Sequence, residues 1–144
     1  MHLRALPLLL ALIATPLYAA HPVLEQRAPI RLTAQEKSHI HLEMRLFLSA
    51  TQKIVIGAAA NDMKMLAQAA REGGMAAAHE VPAGLRAKLP LAFKQLGHAT
   101  HQGFDDLARD AESLGDANHA LQQLGEVMSH CVSCHALYRI ETRH

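Results

Sequence analysis

The sequence predicts an all-α fold, an antiparallel four-helix bundle. Three observations carry that prediction. Apolar residues recur three and four apart in four separate stretches of the chain. Residues that stop or start helices stand between the stretches: Asn61-Asp62, Gly73-Gly74, Pro90 and Gly115-Asp116. No run shows the alternation of a half-buried strand, and mostly short links make consecutive helices antiparallel neighbours.

The elements follow in order. Residues 1–20 read as a secretory signal, with Arg4 as the positive region, Leu6 to Ala14 as the apolar region and cleavage after Ala19 or Ala20. The apolar run is well short of the ~20 residues of a spanning helix, so it is read as a removed signal and not as a membrane anchor. No further transmembrane segment follows, and the expected location is the periplasm. Residues 21–32, with Pro22 and Pro29, read as an extended lead-in, and 33–144 as the folded domain. Thr33-Ala34-Gln35-Glu36 is a capping box that opens a helix over 34–60. Its apolar stripe is Ile40, Met44, Phe47, Leu48, Thr51, Val55 and Ala58, with Leu42, Leu46 and Ile54 on a second apolar side. A shorter helix over 63–71 turns Met63, Leu66, Ala67 and Ala70 inward and ends at Gly73-Gly74. Residues 75–89, with Pro82 and Gly84, read as a connection with room for one helical turn. Pro90 opens a third helix that runs to Ser113, with Phe93, Gly97, Thr100, Phe104, Leu107, Ala111 and Leu114 on its stripe. Gly115 stops it, and Asp116 caps the last helix. That helix carries Ala117, Ala120, Leu121, Leu124, Val127, Met128, Cys131, Cys134, His135 and Tyr138 on one face.

Composition narrows the function classes. Removing Arg4 with the signal leaves 13 basic and 13 acidic residues, so the mature chain is formally neutral. No basic stripe or aromatic platform points to nucleic acid. Aromatic residues make up 3 % of the chain and tryptophan is absent. Large core groups are therefore scarce, which is compatible with a flat apolar cofactor inside the core.

The stretch with chemical content is Cys131-Val132-Ser133-Cys134-His135, which holds both cysteines of the chain. C-x-x-C-H is the attachment pattern of a c-type haem. Two thiols add across the haem vinyl groups and the following imidazole ligates the iron. On a helix, residues three and four apart are neighbours, so positions 131, 134 and 135 meet the same porphyrin. The competing readings are a C-x-x-C redox disulfide and half a zinc site. The first belongs at a strand-to-helix turn, and no strand pattern precedes the motif. The second needs about four ligands, and His130 and His144 are poorly spaced to complete it. The expected cofactor is one covalent haem c.

With its extension, Cys131-x-x-Cys134-His135-x-x-Tyr138-Arg139 near the C-terminus resembles the cytochrome c-prime family, the class II c-type cytochromes. These have high-spin members and low-spin methionine-ligated ones. The resemblance covers about residues 33–140, specific in the last helix and architectural elsewhere. It implies a four-helix bundle with His135 as proximal ligand and Cys131 and Cys134 as thioether attachments. It also implies that Arg139, one helical turn beyond His135, lies beside the proximal imidazole, in reach of a propionate or of the face of the ring, with Tyr138 near the pocket. The distal position falls at Met44, which then either ligates the iron or packs as a flexible core filler. Many members carry an arginine four residues before the distal position, and this chain has Ile40 there, leaving Arg45 or His41 for a propionate contact. Phe93 and His98 on the third helix are further haem-pocket candidates. Of the eleven histidines, His98 and His101 lie near positions that line the haem in relatives but are otherwise read as surface residues. His130 is expected to point away from the haem face. Relatives are often homodimers through their first two helices.

The leading functional expectation is a periplasmic electron carrier, with iron held by His135 and Met44 and redox proteins as transient partners. The alternative is a five-coordinate haem protein that binds nitric oxide or carbon monoxide. A third reading is a helical metal-handling module without haem. No placed general acid or base suggests an enzyme.

Overall fold

A computed structural model of the chain describes residues 25–78 and 81–142. The signal expected over 1–20 lies outside the described residues. The elements are β1 (Ala28–Leu32), α1 (Ala34–Ala59), α2 (Met63–Glu72), α3 (Met75–Ala78), α4 (Ala83–Lys88), α5 (Leu91–Leu114), α6 (Ala117–Leu137) and β2 (Tyr138–Thr142). The fold is mostly helical. Among the described residues no helix is long and apolar enough to cross a membrane.

Local chemistry sets the helix ends. The Thr33 side chain accepts from the Glu36 N–H at 3.2 Å, and the Glu36 carboxylate accepts from the Thr33 N–H at 2.9 Å, so the capping box forms. Asp62 caps α2 by accepting from the Met65 N–H, and Asp116 caps α6 by accepting from the Asn118 and His119 N–H groups. Gly115 ends α5 with φ +65°, a left-handed conformation that favours glycine.

The main core lies among α1, α2, α5 and α6, and includes Phe47, Ile54, Leu66, Phe104, Leu107, Leu124 and Val127. Alanines fill much of the rest. Small side chains let the helices approach, which is how a chain poor in aromatics closes its core. Phe104 stacks on Phe47 at 5.6 Å and lies against the α2–α3 corner. A Cβ on Gly73 would stand 2.7 Å from its ring, so only glycine fits there. Burying a ring of this size contributes about 1.5–3 kcal/mol. A second, smaller core joins Ile30 and Leu32 of β1, Ile40 of α1, and Leu85 and Leu89. Met44 packs against both cores.

Four expectations change. The lead-in is not merely extended: β1 pairs in parallel with β2, Ala28 opposite Tyr138 through Leu32 opposite Thr142. Five-residue strands at the two ends of the domain carry too little pattern to be read singly. Pro29 is tolerated because a two-stranded ribbon has free edges. Second, the last helix ends at Leu137, and Tyr138 is extended with φ −128°. Tyr138 and Arg139 therefore lie on a strand, and Arg139 is not one helical turn beyond His135. Pairing with β1 outcompetes one more turn of helix. Third, the 75–89 connection holds two short helices, α3 and α4. Fourth, the buried face of α1 runs through Ile40, Phe47, Ala50, Ile54 and Ala58, whereas Leu48 and Val55 are exposed, as are Leu114 at the end of α5 and Leu121 and Met128 of α6. Ile54, assigned to the second apolar side, is fully buried.

Candidate functional site

The α6 helix packs closely on α5 and sparsely on α1. A cleft opens where α1 and α6 diverge. It has a volume of about 390 Å³ and is walled by all three helices. A second hollow of about 480 Å³ continues it toward β2. The two share Met44, Phe93, Cys134 and His135 as walls. Each lies within the ~300–1,000 Å³ of small-molecule and cofactor sites.

The residues singled out in the sequence mostly converge here. Cys131, Cys134 and His135 occupy consecutive turns of one unbroken helix, and all three border the cleft. The two cysteines are half-buried free thiols, and His135 is exposed at the rim. Cys131 Sγ points back to the Val127 carbonyl at 3.8 Å. Burial pushes the Cys131 thiol above its ordinary pKa, and burial together with the neighbouring Cys131 pushes up Cys134. A C-x-x-C redox pair works with a lowered thiol pKa, the opposite of the environment here. Among the described residues no three His, Cys, Asp or Glu side chains are grouped to hold a metal ion.

Met44 is half-buried and faces both hollows from α1. Phe93 reaches the cleft from α5 and meets Tyr138 edge-on, ring centres 5.6 Å apart. Arg139 leaves the helix axis and donates from Nε to the Arg27 carbonyl at 3.2 Å, with a further contact to Glu141. It borders only the second hollow, on the β2 side. Gly97 contributes space: nothing lies within 4 Å of where a Cβ would stand.

The histidines sort differently from the sequence reading. His98 is exposed and is not among the residues bordering this cleft. It lines two neighbouring hollows, one between α5 and the α3–α4 segment and one between α5 and α6. His101, three residues on, is the buried one, at 4 % exposure. Its Nδ1 donates to the Gly73 carbonyl at 2.8 Å, and its Nε2 lies 3.1 Å from Glu43 Oε1. Both ring nitrogens are thus committed to α1 and the α2–α3 corner, although the ring borders the cleft and tilts against Phe47. Its place three residues before Phe104 on the buried face was the available signal. Glu43 completes the pair and was missed, because a glutamate beside Met44 reads as solvated. His130 does not turn away. It borders the cleft, and its buried Nδ1 has no hydrogen-bond partner among the described residues.

The cleft is therefore an apolar-walled slot with two thiols and an imidazole along one side and a thioether on the other. No protein-family model, curated protein or solved structure matches this chain.

Proposed function

We propose that the chain is an exported c-type cytochrome of the class II kind, in which α1, α2, α5 and α6 form a four-helix bundle around one covalent haem. Its role is periplasmic electron transfer to and from redox proteins. One observation carries the reading. The complete C-x-x-C-H motif lies on a continuous helix, and its three chemical groups border one apolar cleft together with Met44.

The residues suit that cofactor. Cys131 and Cys134 are unpaired, protonated thiols at the cleft wall, available for thioether bonds. His135 stands next to them with no other partner among the described residues. Haem, when bound, supplies a one-electron iron couple. The chain's part is to set its surroundings. Phe47, Phe93 and Leu96 keep water from the slot. Met44 presents a thioether, an axial donor that raises the potential of a haem iron. Exposure of His135 at the rim, beside the half-buried Cys134, leaves a short path for an electron to a docked protein, which suits brief, weak encounters.

The apolar walls also favour a second reading. If Met44 stays off the iron, the same slot admits a small uncharged gas such as nitric oxide or carbon monoxide. One experiment separates the two. The protein is matured with haem-attachment machinery, denatured to check covalent retention, and examined optically in both redox states. Covalent haem with a low-spin spectrum and the weak iron–sulfur band is the expected result. Met44→Ala should then turn high-spin, and His135→Ala should lose stable haem incorporation. A high-spin wild type that shifts with carbon monoxide overturns the electron-carrier reading in favour of the gas-binding one. Absence of covalent haem overturns both.

A further inference from the structure

The two halves of the cleft differ in charge. Glu43 and Arg45 both border the half between α1, α5 and α6, with the Glu43 carboxylate held by His101. The half beside β2 is cationic. Arg27, Lys37 and Arg139 border it, with His41 beside them, and no carboxylate does so among the described residues. Its floor is apolar, built from Ile40, Phe93 and Tyr138. Arg27 and Arg139 are 112 residues apart in the chain and meet because β1 pairs with β2. Each has one acidic neighbour outside the hollow, Glu25 for Arg27 and Glu141 for Arg139. Lys37, on the first turns of α1, is half-buried and makes no ion pair or side-chain hydrogen bond among the described residues. A half-buried lysine beside two arginines at an apolar-floored hollow offers a place for an anion of amphipathic shape.

We propose that this hollow, with Lys37 as its uncommitted cation, receives the two carboxylates of the haem, and that the β1–β2 ribbon exists to complete it. The inference rests on the haem reading above. The opposite half sets one cation, Arg45, against the Glu43 carboxylate, whereas the ribbon side gathers Arg27, Lys37 and Arg139 with no bordering carboxylate among the described residues, so the balance of charge selects the ribbon side. The ribbon thus has a chemical task besides joining the ends of the domain. It holds Arg27 over the mouth of the hollow through the Arg139–Arg27 contact. It also turns the chain out of α6 directly after the attachment motif, so that Arg139 borders this hollow from β2.

The test uses full-length, haem-matured protein. Lys37→Gln and the double variant Lys37→Gln/Arg27→Gln are compared with Lys37→Arg and with Lys53→Gln, a lysine paired with Glu72 away from the cleft. Propionate bending modes are read by resonance Raman, the midpoint potential by titration, and covalent haem content by mass. The expected result is native haem content, shifted propionate modes and a lowered potential in the single variant, because a cation near the haem favours the added electron. The shift should be larger in the double variant, while Lys37→Arg and Lys53→Gln stay close to wild type. Propionate modes and potential that stay at wild-type values in the double variant overturn the inference while leaving the cytochrome reading intact. A wild type without covalent haem removes that reading and this inference with it.

Discussion

Replacing His101 with leucine removes an imidazole that ties three parts of the molecule together. Nδ1 faces the Gly73 and Gly74 carbonyls, at 2.8 and 3.1 Å, and Nε2 faces Glu43 Oε1 at 3.1 Å. A carbonyl only accepts, so Nδ1 carries a proton. The side chains of His101 and Glu43 are 5 % and 17 % exposed, so water replaces little of what is lost. A hydrogen bond to a charged group is worth about 1.5–3 kcal/mol, and leaving a buried charge without its partner costs about 3–5 kcal/mol. Leucine nearly restores the volume, which keeps the cavity contribution small. We therefore expect His101→Leu to lower the unfolding free energy by about 3 kcal/mol at pH 6. Burial is the largest single influence on the imidazole and pulls its pKa down. The Glu43 hydrogen bond and the two glycine carbonyls together outweigh it, so the pKa ends above the ordinary 6.5. A group with a raised folded pKa stabilises fully below its unfolded value, and the contribution fades as pH rises through the folded value. The gap between wild type and variant should consequently be wider at pH 6 than at pH 9. Urea unfolding of the haem-loaded proteins, followed by circular dichroism at both pH values, measures it. A gap below about 1 kcal/mol at pH 6, or one that widens toward pH 9, would refute the reasoning.

Two glycines give paired predictions of opposite sign. Helix propensity alone makes Gly→Ala favourable by about 1 kcal/mol in a helix interior. At Gly125 of α6 nothing stands near the new methyl group, so Gly125→Ala should raise the thermal midpoint. At Gly103 of α5 the Cβ would lie 2.6 Å from Val127 Cγ2, a stiff buried side chain, so Gly103→Ala should destabilise by about 1–3 kcal/mol. Adding Val127→Ala should recover part of that loss, and a double-mutant cycle in urea checks it. Leu32→Ala removes a fully buried side chain from β1 and should cost about 2–5 kcal/mol in the same assay. A cost near zero would mean that the ribbon is not part of the cooperative fold.

The sequence already contained the long helices and the attachment motif. Thr33, Asp62, Gly115 and Asp116 act within a few residues of themselves, so their capping roles can be read without tertiary knowledge, and the boundaries of α1, α2 and α5 and the start of α6 fall within a residue or two of expectation. The Cys131, Cys134 and His135 spacing is likewise local, and helix geometry alone places the three on one side. Only the tertiary structure decided matters that depend on distant partners. Whether Tyr138 and Arg139 continue the helix depends on β1, more than a hundred residues earlier, because a strand exists only when another pairs with it. Whether His98 or His101 is buried depends on which side of α5 meets Glu43 and the Gly73 corner, a rotation that a three-residue spacing leaves open. The cationic hollow is the fullest case. Arg27, Lys37 and Arg139 carry no shared motif, and they form a site because the two ends of the folded domain pair as parallel strands beside the start of α1.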